Sequence, residues 1–473
     1  MSLDLPPELW LQIVHLAHRE ALLALHQVSL KFSSISRTIL FAEFIFSPIY
    51  SDEHEFDRLA FWSSKRIAPN VRTCYVNLSA LGEAISTDPA RTTPLVSATF
   101  TAVSRFMNLK LLICGAPRML PLEIPALQLD KLKSLKSLHI ASGSIVPCNT
   151  VKLSLEEFIH SDMPFPESHP RYDFFTSPPI AFIDPSTLRS LTFQSSSIVP
   201  MSHFLDGIAT DNQSRPAQQT WSWLKGWVSQ PAPNTVDTDI IKSYTNLHSL
   251  EISCTQFSPS EFTSFIAAFP ALQDLTVGNF RRFTSTPGAA APPPTKTLVP
   301  HLKKYRGPAQ LLPFILVHSS PAGENTMPRP HTLDITRGGL ADLWRAFQHC
   351  QGVVLAGVVC LRLLAELSEL ASGDLLRDTL AFVPNLEKLD VVVHSRGTTY
   401  PVGQNIGITN KDLCHRVATA LSNNKMLQKV KFTWHSALDD PSWQGPTQVM
   451  LEDGVKKEVP GLTVLESELA LTL

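Results

Sequence analysis

The chain lacks any apolar run long enough to cross a bilayer. The longest, "GVVLAGVVCLRLL", meets Arg362 after about ten residues, half of what a spanning helix needs. It lacks paired cysteines as well. Seven are scattered singly (Cys74, Cys114, Cys148, Cys254, Cys350, Cys360 and Cys414), an odd number without CxxC spacing. That pattern favours reduced, mostly buried thiols over a disulfide framework or a zinc site. Charge of one sign is not in excess: 40 Lys and Arg face 42 Asp and Glu, a formal net charge of −2. No basic field therefore draws the chain to nucleic acid or anionic lipid. A secretory leader is missing too, because Asp4, Glu8 and two prolines interrupt any apolar stretch at the start. The expectation is a soluble protein of the cytoplasm, the nucleus or both, with no nucleic-acid and no membrane partner.

Catalytic signatures are also missing. There is no GxSxG elbow, no HExxH, no Walker loop and no paired-cysteine pattern. No catalytic residue, cofactor or metal ligand is expected, although a triad assembled in space leaves no local mark. His15 and His18 stand one helical turn apart, but two histidines alone are too few for zinc. "TRGGL" (Thr336 to Leu340) lacks the spacing of a phosphate loop and reads as a turn or a helix C-cap. Asn77 and Asn212 match glycosylation acceptors, which have no meaning without a secretory route.

What is present is a core: 44% of residues are hydrophobic and 17% charged. Residues 1–46 read as three short helices. Pro6 suits a first helical position and Glu8 complements the positive helix start. Leu9, Ile13, Leu16 and Ala17 form one apolar stripe, "ALLAL" a second, and Val28, Phe32, Ile35 and Ile39 a third. A unit so small buries too little surface to stand alone.

Over residues 47–473 a strand heading recurs, L-x-x-L-x-(I/F/V). Its instances are "NVRTCYVNL", "NLKLLICG", "LKSLHIASGS", "SLEEFIHSDM", "TLRSLTFQSSS", "NLHSLEISCTQF", "ALQDLTVGNF", "HLKKYRGPAQLL", "HTLDITRGG", "VVCLRLL", "NLEKLDVVVHS" and "MLQKVKFTWHS". Most recur at roughly 20–40 residues, the range of leucine-rich and related repeats. Between them "SPSEFTSFIAAFPAL" and "NKDLCHRVATALSNNKML" read as capped helices. The fold class expected is α/β: a three-helix N-terminal unit, then an irregular leucine-rich-repeat-like solenoid with a curved parallel sheet. The asparagine that closes many such repeats is mostly missing. Two interruptions, residues 211–239 with Trp221, Trp223 and Trp227, and residues 284–300, read as mobile loops; the tryptophans fold back as a cap or form a contact patch.

The stretch "LPPELWLQIVHLAHREALLALHQVSLKFSSISRTILF" resembles an F-box, which opens L-P-x-E-(L/I) and continues to roughly L-L-x-L-x-x-V-(S/C)-x-x-(W/F). The matching positions are Leu5, Pro6, Glu8, Leu9 and Ile13, then Leu22, Leu23, Leu25, Val28, Ser29 and Phe32. Ala21 stands where the family usually has an acid, and Phe32 where it commonly has tryptophan. The repeats look like those of divergent F-box/leucine-rich-repeat proteins of fungal type. The resemblance implies adaptor chemistry: Leu5, Pro6, Leu9, Ile13, Leu22, Leu25, Val28, Ser29 and Phe32 would dock the Skp-type adaptor of a cullin–RING ubiquitin ligase. The repeats would then hold a protein substrate. Two other readings stay open. In one, the chain is a non-ligase interaction scaffold whose helices only cap the solenoid; in the other, the repeats hide an enzyme site.

Overall fold

Helices α1 (Pro7–Leu16), α2 (Arg19–Val28) and α3 (Leu30–Leu40) open the structure. It is a computed structural model that describes residues 7–49, 52–81, 89–115, 122–123, 128–142, 145–146, 152–161, 182–194, 244–253, 256–257, 259–267, 269–278, 282–283, 299–316, 330–350, 355–394, 409–436, 452, 455, 458–459 and 461–471. Leu5 and Pro6, the three tryptophans of the 211–239 segment, Cys148 and Cys254 lie outside the described residues, as do positions 284–298 of the second interruption. Ser29 starts α3 as its N-cap, its Oγ accepting from Phe32 N at 3.2 Å. Val14, Leu22 and Ser36 make the interior of the helical group, where Ser36 Oγ stands 3.2 Å from His26 Nδ1.

Residues 43–46, which the sequence reading placed in the helical unit, instead form a strand, β1 (Glu43–Phe46). Phe44 and Phe46 face inward while Glu43 and Ile45 face out. Phe41-x-x-Phe44-x-Phe46 is the recurrent heading with phenylalanine in the leucine places.

The chain folds as two compact units, Met1–Asn246 and Leu247–Leu473. The first carries β1, β2 (Thr73–Asn77), β3 (Leu111–Gly115), β4 (Leu122–Glu123), β5 (Ser137–Ser142), β6 (Ile145–Val146), β7 (Glu157–His160) and β8 (Ser190–Phe193). The second carries β9 (Ser249–Ser253), β10 (Gln256–Phe257), β11 (Asp274–Gly278), β12 (Arg282–Phe283), β13 (Lys304–Pro308), β14 (Thr332–Arg337), β15 (Cys360–Glu366), β16 (Lys388–His394), β17 (Lys429–Ser436) and β18 (Val464–Leu471). In the first unit β1, β2, β3, β5, β7 and β8 pair in that order, all parallel. In the second, β9, β11, β13, β14, β15, β16, β17 and β18 do the same. The short strands pair separately, β4 with β6 and β10 with β12.

Parallel neighbours in sequence order, joined by crossovers, make each unit a leucine-rich-repeat-like α/β stack. Each of the twelve quoted stretches contains one strand of these ladders, and the two helices read from "SPSEFTSFIAAFPAL" and "NKDLCHRVATALSNNKML" are Pro259–Ala267 and Asn410–Ser422. Two ladder strands, β1 and β18, come in addition.

The heading builds the core directly. Leu386, Leu389, Val391 and Val393 are buried on β16 and its approach, as are Val71, Cys74, Val76 and Leu78 around β2. The register is locked by the backbone: the carbonyl just ahead of each strand accepts two successive amides from the next repeat. Ala42 O takes Arg72 N at 2.7 Å and Thr73 N at 3.0 Å, and Glu387 O takes Gln428 N and Lys429 N, both at 2.9 Å. Asparagine serves the strand approach rather than the repeat's end. Asn108 Nδ2 donates to Pro69 O at 2.8 Å and Asn385 Nδ2 to Ala356 O at 2.9 Å, tying each approach to the one before it.

"TRGGL" is a turn that leads into a helix rather than ending one. Gly338 adopts φ +91° and Gly339 is the N-cap of helix Leu340–His349. Having no side chain, Gly339 lets the Glu369 carboxylate of the next repeat approach. That carboxylate accepts from Leu340 N (3.0 Å), Ala341 N (2.9 Å) and its own Glu366 N (2.9 Å). Anions suit helix N-termini, where amides lack partners. Among the described residues no helix is long and apolar enough to cross a membrane.

A methyl on Gly339 would stand 2.7 Å from Glu369 Oε1 and push the carboxylate off its amides. Gly339→Ala is expected to destabilise the second unit by about 1–3 kcal/mol, measured as a lower denaturant midpoint. An unchanged midpoint would remove this clamp from the account.

Candidate functional site

The helical group presents apolar side chains to solvent. Leu9, Ile13 and Leu16 line one stripe of α1, and Leu16 is 86% exposed. At the α2–α3 corner Val28 is 67% and Leu30 91% exposed, and Leu23 within α2 is about half exposed. Trp10 and Phe32 meet edge to face, ring centroids 4.8 Å apart, and fix α1 on α3. The structure thus divides the candidate docking residues. Leu9, Ile13 and Val28 are on the surface, while Leu25 and Phe32 are half-buried. Leu22 is only 5% exposed and packs inside the group, and Ser29 is engaged as the α3 cap. Leu22 points inward because a three-helix group needs an interior of its own. Leu16 and Leu30, absent from the docking set read by motif, are the most exposed apolar residues of this face. His15 and His18 are exposed.

The strand ladders offer two further surfaces, because every second side chain faces away from the core. In the first unit Ile45, Tyr75, Ile113, His139 and Ile159 stand in one row across β1, β2, β3, β5 and β7. It is an apolar row interrupted by His139, whose Nε2 lies 3.0 Å from Glu157 Oε2.

The matching row of the second unit is ionic. Arg306, Asp334, Arg362, Asp390, Lys431 and Glu466 are register partners on six consecutive strands, alternating in sign at every step. Arg306 Nε lies 3.3 Å from Asp334 Oδ2, and Arg362 Nε lies 3.4 Å from Asp390 Oδ2 and 4.0 Å from Asp334 Oδ1. At the far end Lys429 pairs with Glu466 at 2.9 Å and Lys431 with Glu468 at 2.8 Å. Burial pushes the Asp390 carboxyl above its ordinary value, against the pull of Arg362 and Lys431, and Asp334 and Glu468 add to the rise. Its Oδ1 is buried without a hydrogen-bond partner among the described residues. The Lys429 ammonium holds Glu466 below its ordinary value. The signal for this ladder is in the sequence, at the residue between the last two apolar positions of each heading, but only once the strands are aligned.

Burial pushes the Cys114 and Cys350 thiols up to about 12, and burial together with the neighbouring Cys114 also raises Cys74 well above its ordinary value, so none of the three is a ready nucleophile. A hollow of about 270 Å³ is lined by Leu129, Leu132, Leu135, Leu153 and Leu155 with Asp130, Lys133, Lys152 and Ser154, a set with a single carboxylate. Among the described residues no three His, Cys, Asp or Glu side chains stand close enough to hold a metal.

Two measurements check these assignments. Native alkylation at about pH 8, read by mass spectrometry, should modify the half-buried Cys360 at least about tenfold faster than Cys74, Cys114 or Cys350. Asp390 has a folded pKa above its unfolded one, so the stability it contributes is present in acid and lost as pH rises through the folded value. Asp390→Asn should therefore remove a declining component from about pH 4 upward, seen in parallel denaturation series. Curves of parent and variant that stay parallel contradict the buried-carboxylate account.

No family model matches the chain, and no curated protein matches it. Among solved structures it is similar to TLR13 in its complex with ssRNA13, at 11% identity and TM-score 0.28, covering 87% of this chain and 55% of that one. It is also similar to the mouse RP105/MD-1 complex, at 11% identity and TM-score 0.23, covering 77% of this chain and 64% of that one. The chain thus spans less than two thirds of either, and at these scores the likeness carries no argument. The leucine-rich-repeat-like architecture rests on the strand ladders themselves.

Proposed function

We propose that the chain is a non-catalytic substrate-recognition subunit of a cullin–RING ubiquitin ligase, whose α1–α3 group docks a Skp-type adaptor while the open strand faces receive a protein substrate. The carrying observation is the exposure of Leu9, Ile13, Leu16, Leu23, Val28 and Leu30 on one small helical group. Apolar side chains gathered at a helix surface suit a partner's groove, and each contributes about 1.5–3 kcal/mol when fully buried. The protein acts by proximity, raising the effective concentration of a substrate lysine near the ubiquitin carrier. The scaffold reading keeps one supporting feature: Phe41 at the end of α3 packs on Phe61 and Trp62 of the helix Glu53–Trp62 at 6.0 and 5.5 Å, and Trp62 in turn meets Phe44 of β1 at 5.0 Å.

Capture of a purified Skp-type adaptor by the full chain separates the two readings. Ile13→Asp with Val28→Asp should weaken capture by more than about a hundredfold, with the denaturation midpoint retained because both side chains face solvent. A folded parent that captures no adaptor, or a double variant that binds as the parent does, leaves the scaffold reading in place.

A further inference from the structure

The open face of β13 to β17 gathers cations on a chain whose formal net charge is −2. Its two outward rows carry Lys304, Arg306, Arg362, Lys388, Lys429 and Lys431, against two carboxylates, Asp334 and Asp390. Glu466 and Glu468 of β18 engage Lys429 and Lys431, and Asp274 of β11 is the register partner of Lys304, so the excess positive charge centres on Arg306, Arg362 and Lys388. Among the described residues no ion pair or hydrogen bond is seen for the side-chain ammonium of Lys304 or Lys388, and both residues are exposed. Arg306 and Arg362 reach their aspartates through Nε. Their guanidiniums are half-exposed, and the terminal amino groups keep donors that suit a planar carboxylate. One row further along, the half-buried Leu364 adds an apolar contact.

We propose that this face takes an extended acidic protein segment, its carboxylates on Arg306 and Arg362 and an apolar side chain over Leu364. The proposal rests on the reading of the ladders as the substrate-receiving part and names the chemistry of that substrate. The spacing narrows it further. Arg306 and Arg362 lie two strands apart, about 10 Å. A polyproline-II segment returns to the same face every third residue after about 9 Å, so acids at every third position match the two arginines. Asp334 and Asp390, interleaved with the arginines, disfavour the unbroken phosphate row of a nucleic acid.

The test is fluorescence anisotropy with the full chain at low salt. The probe is a labelled peptide of about twelve residues with Glu at every third position and Pro and Leu between; the controls are its Gln analogue and a labelled oligouridylate of similar length. The acidic peptide should bind, the Gln analogue at least about tenfold more weakly, and added salt should weaken the acidic complex alone. Arg362→Gln and Lys388→Glu should each weaken it about three- to tenfold. Lys388 makes no ion pair, so its variant tests the site without disturbing the fold, checked by an unchanged denaturation midpoint. Equal binding of both peptides, no binding, or indifference to Lys388→Glu overturns the proposal. So does tighter binding of the oligouridylate that the same variants weaken, which assigns the face to nucleic acid. The Ile13→Asp, Val28→Asp chain should bind the peptide as the parent does. Peptide binding lost with adaptor capture kept rejects this inference alone; capture lost with peptide binding kept rejects only the ligase reading.

Discussion

One carbonyl ahead of each strand accepts two successive amides from the next repeat, and each ladder depends on this shared acceptor. Among the described residues five such carbonyls recur in the first unit and seven in the second, from Ala42 to Gln428. They fix where each strand begins relative to the last. In a parallel ladder with one buried face, a slip of one residue would turn the leucines out and the charges in. No repeat can bury its apolar side alone, so register and burial enforce each other. The asparagine bonds at Asn108 and Asn385 and the Glu369 clamp on helix Leu340–His349 join neighbouring repeats by the same logic, through atoms that would otherwise lack partners.

With the inward positions given to the core, interaction is left to the outward rows and to α1–α3. The two units use the same backbone plan for different chemistry. The first presents Ile45, Tyr75, Ile113 and Ile159; the second presents the alternating ladder from Arg306 to Glu466. Alternation lets each charge lean on neighbours of opposite sign, which keeps a dense ionic row on a sheet where a row of one sign would repel itself. The exception is Asp390, where burial outweighs its cations and one oxygen is left unsatisfied.

Much of the ladder was legible from the L-x-x-L-x-(I/F/V) heading, because strand burial has period two and the heading states it. β1 escaped because phenylalanine replaced leucine in its heading and the stretch followed directly on a helix. β18 escaped although Leu462-x-x-Leu465 repeats the pattern within "GLTVLESELAL", because its third apolar place is Ser467. Asparagine was sought at the repeat's close and acts instead at the strand approach, where its amide meets a carbonyl of the previous repeat. Of the docking residues taken from the motif, Leu22 proved internal, while Leu16 and Leu30, outside that set, are external. Helical spacing shows that residues share a face; it does not show which face finds neighbours.

By itself the sequence determined most of the ladder's strand positions, the parallel α/β class and the apolar character of the N-terminal helices, since each is local and periodic. Only the tertiary structure decided which charges stand beside which. Arg306 and Glu466 belong to one row although 160 positions separate them, and that adjacency exists only once hydrogen bonds between repeats have set the register.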